Sequence, residues 1–305
     1  MSFRSGGNVG FLQDLLQNVM DQGRDLVGRA FGSDSQKGNG ETLTDHLKSL
    51  FSGKGEASGV ALAHTIMQQY RQLGPEEKTA FLIRFNQQFS SDPEAIRVAF
   101  RNFDTSPSTA TLEALSAAVE PPRQEVIRRL NLAPGNTLEL VRMREDLLAR
   151  LQQHGDLAAL DYDFAHLFSS WFNRGFLMIR RIDWSTPAYI LEKIIQYEAV
   201  HAIESWDDLR RRLEPADRRC FAFFHPALVD EPLIFVEVAL TRTIPDAIGP
   251  ILTVDRKPIA PGQATTAVFY SISNCQKGLA RISFGNFLIK QVAEELKREI
   301  PSLST

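Results

Sequence analysis

The segment spanning residues 265–299 constrains this chain more than any other. Residues Ala267–Ser273 are rich in β-branched and aromatic side chains and read as a strand. From Asn286, a good capping residue, Phe287, Leu288, Ile289, Val292, Ala293 and Leu296 fall at helical spacing. Gly278 and Gly285 bracket the loop between strand and helix. Such a loop brings backbone N–H groups and the positive end of a helix dipole to one place, which is what a phosphate or pyrophosphate requires. The same pattern also describes an ordinary strand–turn–helix crossover, because loose glycine spacings are weak motifs.

A chain of 305 residues with 43% hydrophobic content can bury two cores of ordinary size. Its net charge of −3 gives no global attraction to nucleic acid. The only cysteines, Cys220 and Cys275, lack metal-ligand spacing and cannot make a disulfide framework, so a reducing, cytoplasmic setting is expected. No apolar run reaches membrane-span length, and no secretory signal pattern opens the chain.

The organisation divides into three. Residues 1–40 carry a helical stretch with Phe11, Leu12, Leu15, Leu16 and Val19 on one face, followed by a polar linker. Residues 41–172 read as helical almost throughout. Helix starts are marked at Gly74-Pro75, Asp92-Pro93 and Pro121-Pro122, and a helix is expected over Leu138–Gln153. Phe164, Leu167, Phe168, Trp171 and Phe172 form an aromatic stripe expected to be core. Residues 173–305 change character. Strands are expected over 176–182, 219–225 and 233–241, the last two as an antiparallel hairpin. Helices are expected to open at Ser185-Thr-Pro187 and at Ser205. The fold class expected is therefore an all-helical N-terminal bundle followed by an α/β part.

Four stretches carry a family resemblance. They are Trp171-Phe172 with Gly175–Leu177; Glu198–His201 with Trp206 and Arg218–Cys220; Glu231–Thr241; and Phe269–Ser273 running through Gly278-Leu279 to Gly285–Lys290. In these the chain resembles malonyl-CoA decarboxylase, over roughly residues 130–300, with the N-terminal third similar only in helical character. The resemblance implies a helical oligomerisation domain over 41–172, forming dimers or tetramers. It also implies the first part of an acetyltransferase-like mixed sheet with flanking helices over 173–305. The implied reaction is decarboxylation of malonyl-CoA to acetyl-CoA. The CoA thioester is the substrate, with no further cofactor and no metal. The CoA-binding segment then falls on Ala280, Arg281, Ile282, Ser283, Phe284, Gly285 and Asn286, whose backbone N–H groups would hold the pyrophosphate while Arg281 adds charge. Ser283 stands where some family members carry glutamate.

The family's serine, just before a Pro-Ile-Pro run, and its distant histidine are expected beyond Thr305; Ser302 and Ser304 precede the serine's position. The chain is thus expected to stop inside the catalytic domain and to be inactive alone. The alternative is a non-catalytic acyl-CoA-binding or oligomerisation module. Among other candidates, His225 sits at a strand end, where it would either face a cleft or serve structurally. Glu237 is expected to face solvent from its strand, and Cys275 to pack beneath the loop rather than act as a nucleophile.

Overall fold

The computed structural model describes residues 39–53, 55–283 and 287–305. The helix expected near residues 11–19, and Phe284, Gly285 and Asn286 of the expected CoA segment, lie outside the described residues. The chain divides into two compact units, residues 1–167 and 168–305, each described by itself.

The first unit is helical. Its elements are α1 (Asn39–Ser52), α2 (Glu56–Gln72), α3 (Pro75–Gln88), α4 (Pro93–Thr105), α5 (Thr109–Val119), α6 (Pro122–Leu130), α7 (Asn136–Leu148) and α8 (Ala158–Trp171), the last continuing into the second unit. Proline at the first turn of α3, α4 and α6 costs no hydrogen bond there and presets φ. Asp92 accepts from the Glu94 N–H at 2.9 Å, and Ser108 and Thr111 cap each other at the start of α5. Helix α7 ends at Leu148, short of the expected Gln153, and the chain continues through turns. Helix α1 packs on α2, α3 and α6, and α2 packs on α6 and α7. Leu47, Ile66, Phe81, Phe85, Ile127, Leu140 and Phe164 fill the interior. Two buried arginines cross this core with partners: Arg144 donates to Asp161 at 2.8 Å, and Arg123 meets Asp163, which also accepts from Gln124 at 2.7 Å. Helices α4 and α5 pair with each other and leave Val98, Phe100, Leu112 and Val119 exposed.

The second unit is built on a four-stranded sheet in the order β1-β2-β3-β4. Its strands are β1 (Met178–Ile182), β2 (Arg218–Phe224), β3 (Pro232–Thr241) and β4 (Thr266–Asn274). Adjacent strands are antiparallel throughout. A parallel component joins at the margin of β4, where Thr305 donates to the Thr265 carbonyl at 3.2 Å and accepts from the Ala267 N–H at 2.8 Å. Strand β1 starts two residues later than expected because residues 174–176 close a short 3₁₀ turn.

Helices α9 (Ala188–Tyr197) and α10 (Trp206–Leu213) connect β1 to β2, and a short helix, α11 (Gly249–Leu252), lies between β3 and β4. Helix α9 starts at Ala188 rather than Ser185, because Ser185 and Thr186 bond back to Asp183. Ser205 caps α10 through the Asp208 N–H at 3.1 Å. Alternation along the strands sorts the two faces. Cys220, Ala222, Phe224 and Phe235 meet Ile190, Leu191 and Ile194 of α9 and Leu209 and Leu213 of α10. On the opposite face lies α12 (Phe287–Glu299), whose Glu299 is held by Arg219 at 2.7 Å and by Arg181 at 3.3 Å. Among the described residues, no helix is long and apolar enough to cross a membrane.

Phe235 is fully buried at the centre of the helix-facing layer. Phe235→Ala is expected to destabilise the fold by about 3–5 kcal/mol, read as a lowered urea midpoint at unchanged slope.

Candidate functional site

Strand β4 delivers the chain into the loop predicted to hold a phosphate. The Cys275 N–H donates to the Leu233 carbonyl at 2.9 Å, and the Gln276 side chain donates to the Pro232 carbonyl at 3.0 Å, so the loop leaves from a fixed point beside the start of β3. Residues Lys277–Leu279 form a 3₁₀ turn in which Gly278 and Leu279 are buried. The N–H groups of Ala280 and Ile282 donate to the Lys277 and Leu279 carbonyls, both at 3.0 Å. These two predicted donors are therefore spent inside the loop. Ile282 anchors the loop at 8% exposure, while Ala280, Arg281 and Ser283 are exposed. Arg281 adopts φ +66°, a left-handed conformation costly for a side chain other than glycine. Helix α12 is described from Phe287, and the opening N–H groups of any helix lack partners within it.

Cys275 is buried in the apolar core, and burial pushes its thiol far above the ordinary range. That places it as packing, not as a nucleophile. His225 is buried too, its ring 5.0 Å from that of Phe172 and 6.1 Å from that of Phe176. Burial lowers its pKa, and its Nδ1 accepts from the Ala227 N–H at 3.1 Å, so it closes the turn after β2.

The larger assembly of polar groups lies on the α9–α10 face of the sheet. Glu198, just past α9, accepts from the Val200 and His201 N–H groups, both at 2.8 Å. It also accepts from the Ser271 hydroxyl at 2.8 Å and the Ser273 hydroxyl at 3.2 Å. The turn so fixed presents the carbonyls of His201 and Ala202 to Arg212 of α10, at 2.7 and 3.0 Å. Arg212 in turn donates to Glu237 of β3 at 3.2 Å.

Glu237 corrects the sequence expectation. It is fully buried, not solvent-facing, because β3 is an inner strand covered on both faces, where alternation no longer reports exposure. Burial raises its pKa to about 7, with the Arg212 charge opposing that shift.

A β-bulge completes the assembly. Glu237 pairs with Ser271 and Val238 with Phe269, so Tyr270 is the extra residue. Consecutive residues consequently reach one face: Ser271 bonds Glu198, while Tyr270 packs on Ala239 and Ile251. Burial drives the tyrosine hydroxyl well above its ordinary pKa, so it is a donor at any working pH. No cluster of metal-ligating side chains occurs among the described residues. Arg212, Tyr270 and the two serines were not singled out from sequence. The signal for the serines was their i, i+2 spacing, which puts both on one face of a strand.

The chain matches known proteins along most of its length. A family described as "Malonyl-CoA decarboxylase C-terminal domain" matches residues 175–305, and its "N-terminal domain" counterpart matches residues 89–172. The mitochondrial malonyl-CoA decarboxylase of Anser anser anser is 37% identical over 190 residues, covering 60% of this chain and 37% of the relative. That of Mus musculus is 35% identical over 202 residues, covering 63% and 40%. The chain thus spans about two-fifths of these relatives. Among solved structures, the malonyl-CoA decarboxylase of Rhodopseudomonas palustris superposes with a TM-score of 0.85 at 57% identity, over 88% of this chain and 66% of that one. The enzyme of Agrobacterium vitis gives 0.82 at 56%, over 86% and 64%. That of Cupriavidus metallidurans gives 0.65 at 34%, over 87% and 61%.

The raised pKa of Glu237 sets the sign of a pH effect. A carboxyl whose folded pKa lies above its unfolded value contributes stability below the unfolded pKa and loses it as pH rises through the folded one. The stability of the parent chain relative to Glu237→Gln is therefore expected to fall by about 1–3 kcal/mol between pH 5 and pH 8. Urea titrations of both proteins across that range check it.

Proposed function

Since the chain belongs to the malonyl-CoA decarboxylase family, we propose that it binds malonyl-CoA and serves its decarboxylation to acetyl-CoA and carbon dioxide. One observation carries the reading: the β4–loop–α12 unit, argued from local physics as a phosphate cradle, lies inside the segment matching the family's C-terminal domain. In this reading, Arg281 and the opening N–H groups of α12 hold the CoA pyrophosphate. The buried start of the loop at Gly278 and Leu279 keeps the cradle rigid. The reaction breaks one carbon–carbon bond, leaves the electron pair on the thioester as an enolate, and adds a proton to carbon. It needs hydrogen-bond donors aimed at the enolate oxygen and a proton source, and no cofactor beyond the CoA thioester is proposed.

The proposed domain division, 41–172 and 173–305, is supported by the two family segments, which meet between residues 172 and 175. The helical part is proposed to assemble the chain into dimers or tetramers, supported by the apolar side chains of Val98, Phe100, Leu112 and Val119 left exposed on α4 and α5. A cytoplasmic setting is proposed on the two buried, unpaired thiols; the animal relatives named above are mitochondrial.

CoA and malonyl-CoA are expected to bind the folded chain saturably in calorimetry, and Gly285→Val to weaken both at least tenfold. A chain with a cooperative melt and no CoA-competable binding would overturn the loop assignment. Turnover of malonyl-CoA in the same preparation places the catalytic groups within residues 1–305; binding without turnover places them elsewhere.

For assembly, the double variant Phe100→Glu, Leu112→Glu is expected to shift the mass measured by light scattering to that of a monomer while the far-UV circular dichroism stays that of the parent, and to make the melting temperature independent of protein concentration.

A further inference from the structure

A second feature of the sheet unit points to a ligand and shares no residue with the loop at 277–286. A cleft opens beside β4, lined by Asp208, Arg211 and Arg212 of α10, Arg218 of β2, Arg256 and Tyr270, and floored by the turn after α11. Its volume is about 90 Å³. That is well below the roughly 300–1,000 Å³ of sites for drug-sized ligands, so a nucleotide is excluded on size.

The charge of the cleft is positive. Its lining holds four guanidinium groups and one carboxylate. Behind it, Asp217 meets Arg256 at 2.6 Å and Arg218 at 3.6 Å, and Glu237 meets Arg212 at 3.2 Å. Counting all three carboxyl groups still leaves one cation in excess, and Glu237 is the one that burial drives toward the neutral form. Arg218 bears the consequence: burial first, then the neighbouring Arg256 charge, depress its pKa.

The cationic groups are also held in place before any ligand arrives. Arg218 donates to the carbonyls of Asp217 at 3.1 Å and Ile251 at 2.6 Å, and Arg212 is fixed by two carbonyls and two carboxylates. Yet Arg212 Nε and the Tyr270 hydroxyl among the lining residues, and Glu237 Oε1 and Asp217 Oδ1 behind them, lack a partner at hydrogen-bonding distance, all in residues more than nine-tenths buried. Buried polar groups are nearly always satisfied, so two donors and two acceptors left over around one cationic cleft mark a polar network that the chain's own groups leave incomplete.

We propose that this cleft binds a compact oxyanion, a small dicarboxylate or a phosphate group, through the Arg212, Arg218 and Arg256 guanidinium groups and the Tyr270 hydroxyl. Arginine suits both ligands because its planar fork matches the spacing of two carboxylate or phosphate oxygens. Arg211, half-exposed and joined to Asp208 only at 3.4 Å, stands at the rim as an entry charge.

The test is calorimetric titration of the intact chain with malonate and, separately, with inorganic phosphate, against sodium chloride at equal ionic strength. One-to-one saturable binding of at least one oxyanion, absent with chloride, is expected; the tighter of the two identifies the ligand chemistry. Tyr270→Phe, which preserves shape, is expected to weaken binding about tenfold, as loss of one hydrogen bond to a charged group does. Arg211→Gln is expected to weaken it less and to flatten its salt dependence. Gly285→Val, directed at the CoA loop, is expected to leave oxyanion binding unchanged. The proposal is overturned if neither anion binds the folded chain, if Tyr270→Phe binds as tightly as the parent, or if Gly285→Val alone abolishes binding.

Discussion

The sheet unit depends on one carboxylate. Glu198 takes hydrogen bonds from two serine hydroxyls of β4 and from two backbone N–H groups of its own turn. It thereby ties the end of α9 to the strand that leads into the loop. The turn it fixes offers two carbonyls to Arg212, and Arg212 reaches across to Glu237. Removing any one member would leave its neighbour buried and unpaired, which costs more than the lost bond itself. Such a chain of dependence holds a helix layer at one setting over a sheet, where apolar packing alone would tolerate sliding.

The bulge in β4 is what lets this polar chain coexist with a cleft. In a regular strand Tyr270 would point toward α12, away from Arg212. The extra residue re-aims it, so that Ser271 serves the carboxylate while Tyr270 closes the cleft. Bulges often re-aim side chains next to functional sites, and here the purpose is readable from the two partners that adjacent residues serve.

Most of the elements were legible in the sequence because their signals are local. Proline at the first turn of α3, α4 and α6 and the Ser205 cap mark helix starts by chemistry that needs no tertiary context. The β2–β3 hairpin and β4 were legible from dense β-branched and aromatic runs. What escaped was set by neighbours distant in sequence. Glu237 was misread because an inner strand buries both faces, which erases the period-two signal. Arg212 looks like one more charge on an arginine-rich helix until the 198–202 turn is folded against it. The strand and the helix that flank the expected CoA segment were legible from β-branched content and helical spacing. The inward commitment of the Ala280 and Ile282 N–H groups was not, since it follows from the 3₁₀ turn before them.

The two features proposed to bind anions sit along one strand, and this bears on how they relate. At roughly 3.3 Å per residue, Tyr270 lies about 13 Å along β4 from Asn274, where the loop begins. An extended ligand anchored by its phosphates at the loop and running along β4 would bring its far end toward the bulge. Thr305 joins β4 in parallel beside Thr266, so β4, α12 and the segment around Thr305 form a parallel crossover. In open α/β sheets, ligands enter at the carboxyl ends of strands in such crossovers. The cleft lies on the α9–α10 face, whereas α12 is tied through Glu299 to the other, so a ligand using both would have to pass the edge of β4. The geometry therefore separates two possibilities physically. Either the oxyanion is the acidic end of a thioester that crosses that edge, in which case the loop and the cleft compete for one molecule, or it is an independent ion whose binding leaves CoA affinity unchanged. Competition between CoA thioester and free oxyanion in a single titration distinguishes them, because linkage requires each ligand to shift the other's apparent affinity by the same factor.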